Sequence, residues 1–139
     1  MGIGNLPSFG GDLEIVRDDV EHIIRLNGIT AVLIRESKTY GNSGEIIETN
    51  EKRYNIYVKI VNETRENRQF LNQGKEKTGE ITGYFWREYP NDITRNGDLI
   101  VQTGDKIKDQ NGVYWRVEEM NIIEYEGKEA FRKGKLRRI

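Results

Sequence analysis

The sequence predicts a mainly β fold, a small antiparallel barrel or sandwich with one N-terminal helix and a long polar loop. Three observations carry that reading. Only one stretch, residues 12–27, repeats its apolar residues at helical spacing. After Gly28 the period switches to two, most clearly where Tyr54, Ile56, Val58 and Ile60 alternate with Asn55, Tyr57 and Lys59. Short apolar runs then succeed one another between the turn signals Asn96-Gly97, Thr103-Gly104-Asp105, Asn111-Gly112 and Glu126-Gly127. Many short strands with such turns suit a sandwich or barrel better than a parallel sheet.

Residues 1–11 hold Pro7 and four glycines and read as a flexible arm, with Leu6 and Phe9 as its candidate anchors. Residues 12–139 read as a single domain. In the helix, Leu13, Val16, Val20 and Ile23 form the apolar stripe, widened by Ile24. Asp12 is placed to accept from the first-turn amides, and Gly28 to end the helix in a left-handed conformation. With no second helix to pack on, the stripe is expected to cover a sheet.

Strands are expected at 29–34, 54–60, 81–86, 99–101, 106–108, 113–120, 122–125 and 130–137. A loop at 37–43 joins the first two. A second loop, about 62–78, is strongly polar, with Phe70 and Leu71 as its only large apolar residues. The expected core is Val16, Val20, Ile23, Leu33, Ile56, Val58, Ile81, Phe85, Val101, Ile107, Trp115 and Val117. Gly97, Gly104, Asp105 and Gly112 are expected as structural turn residues, the glycines at positive φ.

Composition excludes several chemistries. There is no cysteine, which removes disulfides, thiolate metal sites and cysteine nucleophiles, and His22 is the only imidazole. Lys and Arg number 22 against 23 Asp and Glu, so bulk charge drives no affinity for nucleic acid or membrane. The charge is uneven: residues 1–50 are acidic, and Arg132, Lys133, Lys135, Arg137 and Arg138 form one basic cluster, read as a solvated edge strand. No apolar run approaches a membrane helix, and Met1-Gly2-Ile3-Gly4-Asn5-Leu6 is not expected to be a secretory or myristoylation signal.

Catalytic patterns are missing. Ser8, Ser37 and Ser43 lack a nucleophile elbow, and Gly74-Lys75-Glu76 is no phosphate loop. Asp109, Asn111, Gly112 and Glu118 echo a calcium loop, but Ile107 stands at its first ligand position, so a turn followed by a strand is expected. Tyr84, Phe85, Trp86, Tyr114 and Trp115 offer a stacking platform for nucleic acid or, as the favoured reading, core filling. No enzyme activity, cofactor or metal is expected.

Residues 79–139 carry a family resemblance. They run Gly79-Glu80-Ile81-Thr82-Gly83-Tyr84-Phe85-Trp86, then Gly97-Asp98-Leu99-Ile100-Val101, then Gly104-Asp105, the hairpin at Gly112 and Tyr114-Trp115-Arg116-Val117. This order resembles the head–tail connector proteins of long-tailed phages, the head-closure, stopper or head-completion proteins. The resemblance implies a structural virion protein of the neck, assembled in the host cytoplasm. It implies a homo-oligomeric ring with portal or adaptor protein on one side and tail terminator or tail tube protein on the other, retaining packaged DNA without sequence readout. Alternatives are a small-barrel nucleic-acid-binding module and a tail-side barrel such as a tail terminator or baseplate component. Within that frame, Phe70 and Leu71 anchor the long loop on a neighbour, or Arg65, Arg68, Lys75 and Lys77 face DNA phosphates.

Overall fold

The computed structural model describes residues 9–63 and 80–139. Helix α1 (Phe9–Asn27) leads into strands β1 (Ile29–Tyr40), β2 (Ile46–Glu63) and β3 (Glu80–Trp86). A short helix α2 (Asn91–Thr94) precedes β4 (Lys106–Lys108), β5 (Tyr114–Tyr125) and β6 (Lys128–Arg138). All six strands pair antiparallel in the order β1-β2-β3-β6-β5-β4, and β4 closes on β1 through Leu33–Ile107. The closed barrel decides between the two expected architectures.

Period two places alternate residues inside. Leu33, Ile56, Val58, Phe85, Ile107 and Val117 project into the barrel and are fully buried. The space is tight where Gly83 faces Gly134 across β3 and β6. A Cβ on Gly83 would lie 2.9 Å from the Phe85 ring, and one on Gly134 3.2 Å from it. The ring fills the volume that two missing side chains leave, so the interior is a packed core and not a channel.

Helix α1 lies on the outer wall and contributes Leu13 and Ile24 to the buried set. Its inward row is Leu13–Arg17–Val20–Ile24, and Arg17 bonds the Glu129 carbonyl through Nε at 2.8 Å and Nη2 at 2.6 Å. Ile23 was expected inside but is 47% exposed, because a spacing of 3.6 residues carries the row toward Arg17 and Ile24. Val16, Val20, Ile81 and Trp115 are half-buried rather than buried. The helix begins at Phe9, not Asp12, so Gly10 and Gly11 lie within its first turn, where the N–H groups have no intrahelical acceptor anyway.

Several strand boundaries differ from expectation. Residues 37–40, read as loop, continue β1, and β2 starts eight residues before Tyr54. Polar alternation there hid a two-stranded ribbon that buries neither face. Residues 114–125 form one strand instead of two, with a bulge between Val117 and Glu119. Residues 99–101 form no strand, only the paired hydrogen bonds Tyr89–Leu99 at 2.8 and 2.9 Å. Helix α2 was not anticipated, since four residues are too few to show a period. Strand β6, read as an edge, has β3 on one side and β5 on the other. Its alternation buries Gly134 and Leu136 and turns Lys135 and Arg137 outward.

Candidate interaction surfaces

The Gly104-Asp105 turn is an internal clamp. Asp105 is buried at 4% exposure and pairs with Arg35 of β1 through two bonds, Nε to Oδ1 at 2.9 Å and Nη2 to Oδ2 at 2.7 Å. Arg35 Nη2 also donates to the Ile100 carbonyl at 2.9 Å, and the Gln102 amide donates to Asp105 Oδ2 at 2.8 Å. The hydrogen bonds from Arg35 to Asp105 raise the guanidinium pKa above its ordinary value despite partial burial. Gly104 N and Val117 N stitch the turn to β5. Gly104 has φ 96°, with nothing within 4 Å of where a Cβ would stand, and Gly97 and Gly112 have φ 101° and 81°. A side chain at Gly104 therefore meets a conformational penalty, not a clash.

Asp109 organises the next turn. Its Oδ1 accepts from Asn111 N at 2.8 Å and Val113 N at 2.9 Å, and its Oδ2 from Trp115 Nε1 at 3.1 Å. These bonds occupy the carboxylate that a calcium loop would need. Desolvation alone would raise its pKa, but the bonds from Trp115, Val113 and Asn111, with the Arg138 charge, outweigh it and hold the group below its ordinary value. A depressed pKa adds stability that is present above the unfolded value near ~4 and is lost as pH falls through the folded pKa. Denaturation of Asp109→Asn should therefore show about 1 kcal/mol less stability at pH 7. Its stability should also fall less steeply than the wild type below about pH 4.

The aromatics that offered a stacking platform are mostly committed elsewhere. Phe85 is inside the barrel, and Trp86 is stacked between Tyr57 and Tyr89, with centroids at 5.7 and 5.1 Å. Arg25 of α1 lies over Tyr57 at 5.2 Å and caps the stack. Tyr89 is fully buried; its hydroxyl accepts from Trp86 N and donates to the Tyr57 carbonyl. Burial pushes that phenol far above its ordinary range. Trp115 is half-buried with its N–H on Asp109, which leaves Tyr114 as the exposed ring of the five.

Among the described residues, three surfaces stand out. Residues 36–52 form an exposed two-stranded ribbon beyond the barrel, ending in Tyr40 (60% exposed), Ile46 (53%) and Ile47 (65%). Tyr40 pairs with Ile46 across the ribbon, and Ile47 is the unpaired residue of a bulge, since the next pair is Thr39 with Glu48. An apolar groove of 450 Å³ runs between α1 and the outer wall, lined by Val20, Ile23, Ile24, Val61, Tyr84 and Phe131, with Lys59 at its side. A polar depression of 660 Å³ lies between α2 and the β4–β5 turn. It mixes Arg25, Arg53, Arg95 and Lys108 with Asp92 and Asp109, so it presents no single-sign field. The ribbon and the groove were not anticipated. The adjacent apolar pair Ile46-Ile47 in a polar stretch was the available signal.

Leu6, Arg65, Arg68, Phe70, Leu71, Lys75 and Lys77 lie outside the described residues, and Phe9 is described only as the first backbone position of α1. His22 is exposed on α1. Among the described residues, no group of three or more His, Cys, Asp or Glu could hold a metal ion, and no helix is long and apolar enough to cross a membrane. The fold and surfaces together define a closed six-stranded antiparallel barrel with a covering helix and a projecting ribbon. No protein-family model matches the chain, and no curated protein matches it.

Proposed function

We propose that this chain is a structural protein of the neck of a long-tailed phage. In this reading it forms a ring between the portal or adaptor and the tail, closes the DNA exit and provides the tail attachment site. One observation carries the reading beyond the resemblance of residues 79–139. The barrel interior is filled by its own side chains, while large apolar residues stand exposed on a projecting ribbon and on one helix face. A filled barrel with an apolar projection suits assembly more than turnover of a small molecule. Portal or adaptor and tail proteins are its neighbours in the virion, and packaged DNA is held without sequence readout.

Deleting the coding sequence from the phage that carries it tests the proposal. The expected result is DNA-filled heads that leak their DNA and do not join tails, with electron microscopy placing the labelled chain at the head–tail junction. Infectious, tailed particles formed at normal yield without the chain would overturn it.

A further inference from the structure

We propose that the ribbon tip of one copy, Tyr40 with Ile46 and Ile47, inserts into the groove between α1 and strands β2, β3 and β6 of the next copy. This deepens the ring reading above and rests on it.

Four observations point to a second copy as the occupant. First, three large apolar side chains gather exposed at the end of a narrow two-stranded ribbon, which suits a plug enclosed by a groove rather than a patch laid on a flat surface. A two-stranded ribbon with neither face covered is also marginal in water, so cover from outside stabilises it. Second, the groove is apolar where it would receive the tip, and Ile23 of its α1 wall is left 47% exposed. Third, the strand wall of the groove, though not the acidic helix α1, complements the ribbon in charge. The ribbon carries Glu45 and Glu48 near its tip, while Glu36 and Glu51 pair with Lys106 and Arg53 of their own copy. The strand wall of the groove carries Lys59, and Lys133 sits over Tyr84 at 5.6 Å. Charge complementarity fixes register and disfavours wrong partners.

The fourth observation is topological. The tip and groove stand at opposite ends of the same strand, since β2 begins at Ile46 and Val61 lies near its other end. As much as roughly 50 Å of extended chain separates them, so a tip cannot reach its own groove. Each copy carries one tip and one groove, and a head-to-tail contact between unlike surfaces closes into a ring when its rotation permits.

The chain has no cysteine, which makes a pairwise crosslink clean. Ile47→Cys and Ile23→Cys, each exposed, are prepared as separate full-length proteins, mixed and oxidised. The expected product is a disulfide-linked pair containing one of each, absent when either variant is oxidised alone. In parallel, sedimentation of Ile46→Ser/Ile47→Ser should show at least tenfold weaker self-association with unchanged circular dichroism and melting. Self-association that survives the double substitution, or crosslinks between two Ile47→Cys copies in place of the mixed pair, would overturn the docking and leave the ring reading standing. A chain that stays monomeric at every concentration also overturns it, and the neck assignment is then judged by the deletion experiment alone.

Discussion

Asp105→Ala should lower the unfolding free energy by about 2–3 kcal/mol. The reason is an unpaired cation. Arg35 keeps the Ile100 carbonyl but loses both carboxylate bonds, and its side chain is only 30% exposed. The Gln102 amide loses its acceptor as well. Breaking a buried pair from one side costs about 3–5 kcal/mol, and the partial exposure of Arg35 places this case at or below the lower end. Asp105→Asn keeps an acceptor for Gln102 and should fall between the two. Urea denaturation of Asp105→Ala, Arg35→Ala and the double variant gives the coupling. The double variant should be less destabilised than the sum of the singles by about 1–2 kcal/mol. Additive effects would show that the pair does not hold the β4 turn to β1.

The Arg35–Asp105 clamp shows what periodicity and turn chemistry reveal and what they do not. A Gly-Asp turn was readable because glycine at φ 96° has a local backbone cause. The partner seventy residues away was not, since no local signal relates Arg35 to the β4 turn. The same division runs through the fold. Strand β4, three residues long, was read with its true bounds because Gly104-Asp105 and Asn111-Gly112 punctuate it. The ribbon at 36–52 was missed because a strand that buries neither face has no apolar alternation to betray it. Barrel closure was also open, for a sandwich and a barrel use the same alternating strands and differ only in which edges meet.

The surfaces were less legible than the core. Ile23 and Ile24 are adjacent, and sequence periodicity cannot say which one meets the barrel until the row is anchored. Arg17 anchors it by bonding the Glu129 carbonyl, a contact with a backbone oxygen that no side-chain pattern announces. The groove beside Ile23 therefore exists only in the assembled structure. Its walls come from α1, β2, β3 and β6, four segments distant in the chain.

Gly28→Ala should be more damaging than Gly104→Val, although the added group is smaller. Gly28 follows α1 directly, and its N–H completes the helix with a bond to the Ile24 carbonyl at 2.9 Å. Its φ is not in the left-handed region, so the stop reading of this glycine does not hold. What requires glycine is proximity. A Cβ there would lie 2.4 Å from the Ile24 carbonyl oxygen and 2.5 Å from that of Val58. Both are backbone atoms, and Val58 is held in register with Ile29 at the start of the β1–β2 ladder. Neither can rotate away as a side-chain tip would. The end of α1 must lift from β2, loosening Ile24 and the stack of Arg25, Tyr57 and Trp86 beneath it. Overpacking costs about 1–3 kcal/mol where side chains can yield. With backbone on both sides, Gly28→Ala should lie at the upper end of that range, about 3 kcal/mol. Gly104→Val meets open space and should lose about 1 kcal/mol through its φ alone. Thermal denaturation of the two variants side by side decides the order. A Gly28→Ala protein that melts with Gly104→Val or above it would show that α1 can part from β2 at little cost.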